Sequence, residues 1–368
     1  MRAALVLVHR WLGGLVGLGL AVLGLTGAAL LWKPWWAGVA QDARAPSEAE
    51  IAAIIAKAQA LGAGHVTLPS AEFGVAQAGF GKGGGGAYLA HDGTLLSRWQ
   101  SVWDRPETFL FDLHHHLLMG ETGELISGWL GLAAILFCVT GLILWWPTRR
   151  TFRLRALPPR FTRPAVILHH RDIGAVLALP ILLAAVTGAL MVLKPLGQAV
   201  LAPLSPAGEV AAWQAKPPAP ATTTAKPDWP VILAAARARF PDATLRMVIW
   251  PKAAGEAVTI RMRRPAEWHP NGRTTLTLAG DGTVLAARDA PAAPLAVRAN
   301  NALYPLHSAR LAGSAMALPL RIVMTLAGLG LGLLGSLAVV TFWRSRKLGA
   351  IPLARRPAAV PRERGTSA

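Results

Sequence analysis

The sequence predicts a mainly α-helical membrane protein. It is expected to be a bundle of four transmembrane helices, built from two parallel repeats, with two small α+β modules outside the bilayer. Three observations carry this expectation. The chain is 53% hydrophobic and only 15% charged, a composition of membrane spans with soluble parts attached. Four apolar runs, 11–32, 126–146, 173–193 and 322–343, are each long enough to cross a bilayer as a helix. Finally, two stretches superimpose without a gap: His9-Arg10-x-x-Gly13, Thr26-Gly27 and Lys33-Pro34 align with His170-Arg171-x-x-Gly174, Thr187-Gly188 and Lys194-Pro195.

Residues 1–36 hold the N-terminus and the first helix. A basic start before an apolar run resembles a signal peptide. The run is longer than a signal core, however, and has a counterpart in helix three, so it is expected to be retained. The first outer module covers 37–110. An alanine-rich amphipathic stretch, 48–61, precedes Asp92-Gly93 between short apolar alternations, a hairpin signal. The glycine-rich loop 81–86 around Lys82 lacks the Gly-Lys-Ser/Thr ending of a phosphate loop.

An outer histidine segment and helix two fill 111–147, followed by a basic loop at 148–169. The only cysteine, Cys138, lies in helix two. A single cysteine excludes an internal disulfide and a thiolate iron–sulfur site. Helix three spans 170–196, and Pro180 is expected to kink it. The second outer module, 197–300, contains a Pro/Ala/Thr-rich linker at 216–226 and an amphipathic stretch at 229–240. Strand-like segments at 246–250, 257–262 and 274–278 follow, then a second Asp-Gly turn at Asp281-Gly282. A second outer histidine segment with helix four occupies 301–345. The basic cytoplasmic tail covers 346–368, and its part after Gly349 is expected to be disordered. Each outer module therefore reads as helix followed by antiparallel strands.

The net charge of +18 follows topology. Arg149, Arg150, Arg153, Arg155, Arg160, Arg163 and Arg171 crowd the link between helices two and three. Arg344, Arg346, Lys347, Arg355, Arg356, Arg362 and Arg364 follow helix four, and Arg2 and Arg10 precede helix one. Short loops rich in Lys and Arg stay cytoplasmic, which places both termini and the middle loop inside and both large segments outside. The basic excess then serves orientation and contact with anionic lipid, and nucleic acid is not expected as a partner. Both halves run in the same direction, as parallel repeats about an axis along the membrane normal.

Four histidines occupy repeat-equivalent positions. His9 and His170 are expected at the inner ends of helices one and three. Leu113-His114 with Gly120 matches Leu306-His307 with Gly313, at the outer ends of helices two and four. Equivalent residues face each other across a pseudo-twofold axis, so a haem on that axis would receive one neutral imidazole from each side. The 24 residues from His9 to Lys33 amount to about 36 Å of helix, too far for one haem to join histidines at opposite faces. The expectation is two b-type haems, attached non-covalently because no Cys-x-x-Cys-His occurs. The bland reading is that histidines near helix ends simply sit at the membrane interface. Ionisable groups in or near spans lean functional, and four at matched depths strengthen that lean.

Arg10 and Arg171 follow two of these histidines and can serve haem propionates or simply anchor the helices. His114, His115 and His116 are consecutive. Helical neighbours point about 100° apart, and the repeat selects His114. His115 or His116 is left to a propionate, a redox-linked proton or no role, and a zinc site from this triplet is disfavoured. His169 is the less favoured neighbour of His170. His65, His91 and His269 are expected at the surface of the outer modules. Thr26-Gly27, Thr140-Gly141 and Thr187-Gly188 are expected to make room for porphyrin or, more commonly, a close helix crossing. Trp32, Trp35, Trp36, Trp145, Trp146 and Trp343 read as an interfacial belt. Hydrolase and dinucleotide motifs are absent from the sequence.

His-Arg-Trp-Leu-Gly before helix one, the Thr-Gly and Trp-Trp-Pro elements, Leu113 to Gly120, and His170-Arg171-Asp172-Ile173-Gly174 resemble the PepSY-associated transmembrane family over about residues 5–347. The helix-then-strand segments ending in Asp-Gly-Thr look like PepSY modules. The family includes diheme inner-membrane ferric-siderophore reductases. The resemblance implies haem ligation by His9, His170, His114 and His307. It also implies electron flow from a quinol or a cytoplasmic reductase to ferric siderophore in the periplasm. One departure stands out: helix four lacks a Thr-Gly before its end. Two other readings remain beside the reductase. PepSY modules alone resemble inhibitory or chaperone-like domains, which would make the chain a membrane regulator or scaffold. A haem relay to another periplasmic acceptor is the third.

Overall fold

The computed structural model describes residues 2–37, 42–81, 84–154, 157–216, 227–250 and 257–349. The loop around Lys82, nearly all of the linker 216–226 and the tail after Gly349 lie outside these residues. Four described helices are long and apolar enough to cross a membrane: α1 (Arg2–Leu30), α5 (Gly120–Trp145), α6 (Arg163–Val192) and α11 (Ala317–Gly349). Both α1 and α6 begin about two turns before their histidine, so His9 and His170 lie inside the helices and not at their ends. Pro180 sits within the continuous α6.

Around the bundle the order is α1, α11, α6, α5, which sets α1 diagonally opposite α6. The α1–α11 seam is made of small residues. A Cβ added at Gly17 would lie 2.8 Å from the Gly335 carbonyl oxygen, and one at Gly24 2.5 Å from that of Gly328. The two backbones therefore touch, and dispersion contacts replace the hydrophobic drive that lipid does not provide.

The soluble part departs from the expectation of two separate modules. α3 (Glu48–Ala60) precedes β1 (His65–Thr67), β2 (Ala76–Gly79), β3 (Gly86–Leu89) and β4 (Leu95–Trp99). The same order recurs in α9 (Trp229–Arg239), β5 (Thr244–Ile249), β6 (Val258–Arg263), β7 (Thr274–Leu278) and β8 (Val284–Arg288). All the strands join one eight-stranded antiparallel sheet, ordered β4-β3-β2-β1-β5-β6-β7-β8. The seam is β1 against β5, with Val66 opposite Val248. A four-stranded module would leave that edge bare and carry a small core; pairing the edges removes both problems. Ile51, Ile54 and Ile55 of α3 and Ile232 and Leu233 of α9 then share one core with Val66, Val248, Ile260 and Leu276. Buried Arg246 ties the halves further, donating from Nη1 to the Pro69 carbonyl (2.5 Å) and from Nε to that of Pro270 (3.1 Å).

Both Asp-Gly hairpins form as read. Gly93 and Gly282 adopt φ of +83° and +85°, and Asp92 and Asp281 accept from Thr94 N (2.8 Å) and Thr283 N (2.9 Å). Each turn is followed by a register shift in its strand pair, between Tyr88 and Leu89 and between Thr277 and Leu278. Each shift leaves one extra residue, Leu96 or Leu285, on the returning strand, a β-bulge just beyond the turn.

Short helices link sheet and bundle: α2 (Lys33–Trp36), α4 (Pro106–His116), α7 (Lys194–Leu201), α8 (Ala207–Gln214) and α10 (Leu295–His307). His114 and His307 lie at the ends of α4 and α10, not on the spanning helices themselves, a correction to the sequence reading. After each, the chain reverses through left-handed backbone: Leu117 (φ 50°), Leu118 (59°) and Gly120 (59°) in one half, Ala309 (50°) and Gly313 (72°) in the other. The sheet is clamped to α11 by Glu72, whose carboxylate meets Arg310 Nε (2.8 Å) and Arg321 Nη2 (2.5 Å). His91 and His269 are buried, against the expectation of surface residues. His91 turns Nε2 to the Asp42 carbonyl (3.3 Å), and His269 stacks near Tyr304 with ring centres 5.0 Å apart.

Candidate functional site

The fold brings the four repeat-equivalent histidines together as two pairs. His9 of α1 and His170 of α6 meet across the bundle diagonal, ring centres 6.2 Å apart and planes at 90°. His114 of α4 and His307 of α10 meet at 6.0 Å and 45°. Two imidazoles bound on opposite sides of one metal ion, at bonds of about 2 Å, hold their ring centres about 6 Å apart. The separation fits bis-imidazole ligation of an iron in both places. Eighteen residues separate His9 from Gly27, where His114 packs, and eighteen separate His170 from Gly188, where His307 packs. Both counts set the pairs about 27 Å apart along the bundle.

The Thr-Gly dipeptides prove to be seats for these rings, a role the sequence reading missed. Thr140 Oγ1 lies 2.8 Å from His9 Nδ1, Thr26 Oγ1 3.1 Å from His114 Nδ1, and Thr187 Oγ1 3.2 Å from His307 Nδ1. Each hydroxyl already donates its hydrogen to the carbonyl one turn back: Leu136 (2.7 Å), Val22 (2.7 Å) and Leu183 (2.6 Å). It must therefore accept from the ring, so Nδ1 carries the proton and Nε2 keeps a lone pair. His307 Nδ1 also faces the Ala184 carbonyl at 3.0 Å, which only a donor satisfies. The adjoining glycine leaves room for the ring. An added Cβ would stand 3.0 Å from His114 Cε1 at Gly27, 2.9 Å from His307 Cε1 at Gly188 and 3.7 Å from His9 Cε1 at Gly141. Among the described residues no threonine hydroxyl meets His170, which matches the Thr-Gly missing from helix four. A trace of this was in the sequence: Thr26-Gly27, Thr140-Gly141 and Thr187-Gly188 lie within three of the four spanning helices, and the helix facing His170 lacks such a pair.

A cavity of about 450 Å³ opens beside His9 and His170. Apolar side chains and glycines dominate its walls, and Arg2, Arg10, Arg163 and Arg171 also line it. Trp145 faces it too, and its buried indole N–H has no hydrogen-bond partner among the described residues. A mostly apolar cavity lined by two imidazoles, four arginines and an unmet donor matches a flat apolar macrocycle bearing carboxylates. The residues present fit a haem at this pair. At the outer pair the fit rests on the ring separation and the fixed tautomers.

The two arginines behave differently. Arg171 donates from Nε to Asp172 Oδ1 (2.7 Å) and from its terminal nitrogens to Thr151 Oγ1 (3.0 Å) and Thr151 O (3.1 Å). It holds the α5–α6 loop, which supports the anchoring reading. Arg10 lies over the Phe342 ring at 6.0 Å. His169 is buried beside His170. The tryptophans divide: Trp35, Trp146 and Trp343 are exposed, as a belt requires, while Trp32 bonds Thr325 Oγ1 at 2.9 Å. Sequence reasoning also missed the buried Glu107. In the first turn of α4, it accepts from Tyr88 OH at 3.0 Å and pairs with Arg105, a contact with no repeat counterpart to announce it.

Comparison with curated proteins finds no match. The family described as the PepSY-associated TM region matches residues 6–346. The match runs from before the first histidine seat to the end of the fourth span, over both histidine pairs and the shared sheet. The chain belongs to the PepSY-associated TM family.

Proposed function

We propose that this protein is a transmembrane electron carrier holding two b-type haems, one at His9 and His170 and one at His114 and His307, and that it reduces ferric siderophore outside the cytoplasmic membrane. The observation that carries the reading is the pair of crossed histidine contacts, each at the spacing of bis-imidazole ligation, at opposite ends of one bundle. The basic loop at 148–154 and the arginines beside His9 support an inner, cytoplasmic position for the first pair. The sheet and the second pair then face the periplasm, with both termini inside and the two halves as parallel repeats in the inner membrane.

When bound, haem iron supplies reversible one-electron transfer at each pair. The chain's own residues fix how that happens. Thr140, Thr26 and Thr187 hold the Nδ1 protons, so His9, His114 and His307 present Nε2 in one orientation. Arg10 and Trp145 offer donors to carboxylates at the inner pair. Paired histidines leave no open position for substrate, so a ferric chelate would be reduced from outside, docked against the periplasmic end. Siderophores hold Fe(III) through hard oxygen donors, and Fe(II) matches them less well; one added electron loosens the complex. A quinol or a cytoplasmic reductase would supply electrons at the inner pair.

The test is optical. Detergent-purified protein from haem-replete cells should give about two b haems per chain, with low-spin spectra in both oxidation states. The reduced protein, mixed anaerobically with a ferric hydroxamate or catecholate, should reoxidise while a ferrous-specific dye develops colour. Haem-free protein would sink the reading. Two haems without reoxidation by any ferric chelate would keep the carrier and move its acceptor elsewhere.

A further inference from the structure

Beside the outer histidine pair the fold assembles a second group of potential ligands. We propose that His115, His116 and Glu124 bind a divalent first-row transition-metal cation, with Asp112 as the positioning residue for His116. The ligand atoms of the three all lie within 4.8 Å of one another. Sequence alone disfavoured such a site because neighbours on a helix point apart. His114 does point away, toward His307. His115 and His116, however, are the last residues of α4, and their side chains converge: His115 Nδ1 stands 2.9 Å from His116 Nε2.

The reversal after α4 delivers the carboxylate. Leu117 and Leu118 both hold left-handed φ, 50° and 59°, where a Cβ crowds the following carbonyl. The turn folds α5 back onto α4, where Ser127 Oγ donates to the His115 carbonyl at 3.0 Å. Gly123 packs directly on the His116 carbonyl, where any Cβ would collide. Glu124 therefore begins its helix beside the histidines, with Oε1 4.0 Å from His115 Nε2.

The protons are arranged for a metal. His116 Nδ1–H donates to Asp112 Oδ1 at 2.8 Å, which leaves His116 Nε2 with its lone pair toward His115. This carboxylate–histidine arrangement is the usual support of a metal-bound imidazole. A cation placed between the two rings would move the proton they share to the other nitrogen of His115, so both imidazoles bind neutral. Ligands of one ion with bonds of about 2.1 Å sit about 3–4 Å apart. His115 Nδ1 and His116 Nε2 stand at the short edge of that range, and the partly exposed Glu124 carboxylate, now 4.0 Å from the other ring nitrogen of His115, must rotate to supply the third ligand. Two imidazoles and one carboxylate select first-row transition metals over Mg²⁺ and Ca²⁺ and leave positions open for exchange. If the reductase reading holds, on which this clause rests, Fe(II) leaving its chelate would be held here.

The experiment is calorimetric titration of the haem-loaded full chain with zinc chloride in detergent, purified through a tag without histidine. One Zn²⁺ should bind per chain. Glu124→Gln and His116→Ala should each weaken binding about tenfold or more, and Asp112→Asn by about tenfold, with the haem spectrum unchanged. Anaerobic Fe(II) should compete at higher concentration, in keeping with the general order of metal affinities. Failure of the wild type to bind zinc overturns the site, as does undiminished binding in all three variants. The two readings fail separately: zinc-binding protein without haem keeps this site and removes the reductase, and haem-loaded protein without zinc binding does the reverse.

Discussion

A threonine hydroxyl within a helix gives its proton to the carbonyl a turn behind it, and what remains is an acceptor of fixed direction. At Thr26, Thr140 and Thr187 that acceptor meets a histidine Nδ1. Thr26→Val keeps the shape and the helix but removes the acceptor. Haem at the outer pair should then transfer to an apo-haem acceptor protein about tenfold faster, with the inner haem unaffected. Thr140→Val should do the converse. Equal loss from both pairs would show that the threonines serve folding alone. Another residue-scale expectation concerns His269, whose Nδ1 accepts from Asn271 N–H at 3.1 Å. Burial, then the charges of Arg273, Arg261 and Arg310, push its pKa from 6.5 down to about 2. Between those values the unfolded chain binds a proton that the folded chain refuses, so stability falls as pH drops below 6.5, by up to about 1.4 kcal/mol per pH unit. His269→Asn keeps an acceptor without the titration, and its melting temperature should depend less on pH between 6.5 and 4.5. An unchanged slope would mean that other groups carry it.

Among elements, two contacts decide how the parts hold together. Glu72 reaches from the sheet to Arg310 and Arg321, and Arg321 also lies over the rings of Trp32 and Trp35 at 5.8 and 5.1 Å. Glu72→Gln leaves two guanidinium groups without their counter-charge and should cost about 2–4 kcal/mol, read as a lower melting temperature in detergent. The variant should keep the inner pair and loosen the outer one, because α10 and α11 flank Arg310. At the α1–α11 seam the backbones touch at Gly17 and Gly335. Gly17→Leu therefore has no place for its side chain and should prevent assembly of the bundle, lowering the yield of monodisperse protein. Leucine at Gly208, where an added Cβ meets nothing, is the matched control.

At the scale of the molecule, the shared sheet makes the two soluble segments one cooperative unit. Val66→Pro removes a donor at the β1–β5 seam, and a proline there also clashes with the central ladder. Protease protection should fall together on both sides, at α3 and at α9; loss on one side only would show that the segments fold separately. Orientation is testable in the same frame. In a Cys138→Ser background, a cysteine at exposed Trp103 should react with an impermeant maleimide from outside the cell, and one at Arg149 only after lysis.

The sequence by itself determined the spans, the paired histidines, both Asp-Gly hairpins and most of the strands. These are local matters: helix and strand periodicity, turn chemistry and apolar length are written in consecutive residues, and an internal repeat makes equivalent positions visible without coordinates. Only the tertiary structure decided what those residues meet. The joining of two modules at β1 and β5 depends on which bare edge finds which. The threonine seats depend on a helix crossing that sets residue 26 beside residue 114, and the partnership of Glu124 with His115 and His116 on two leucines held in left-handed backbone. Beyond the Thr-Gly pairs themselves, none of these contacts has a signature in neighbouring residues, because each is made by packing elements that the chain brings together from far apart.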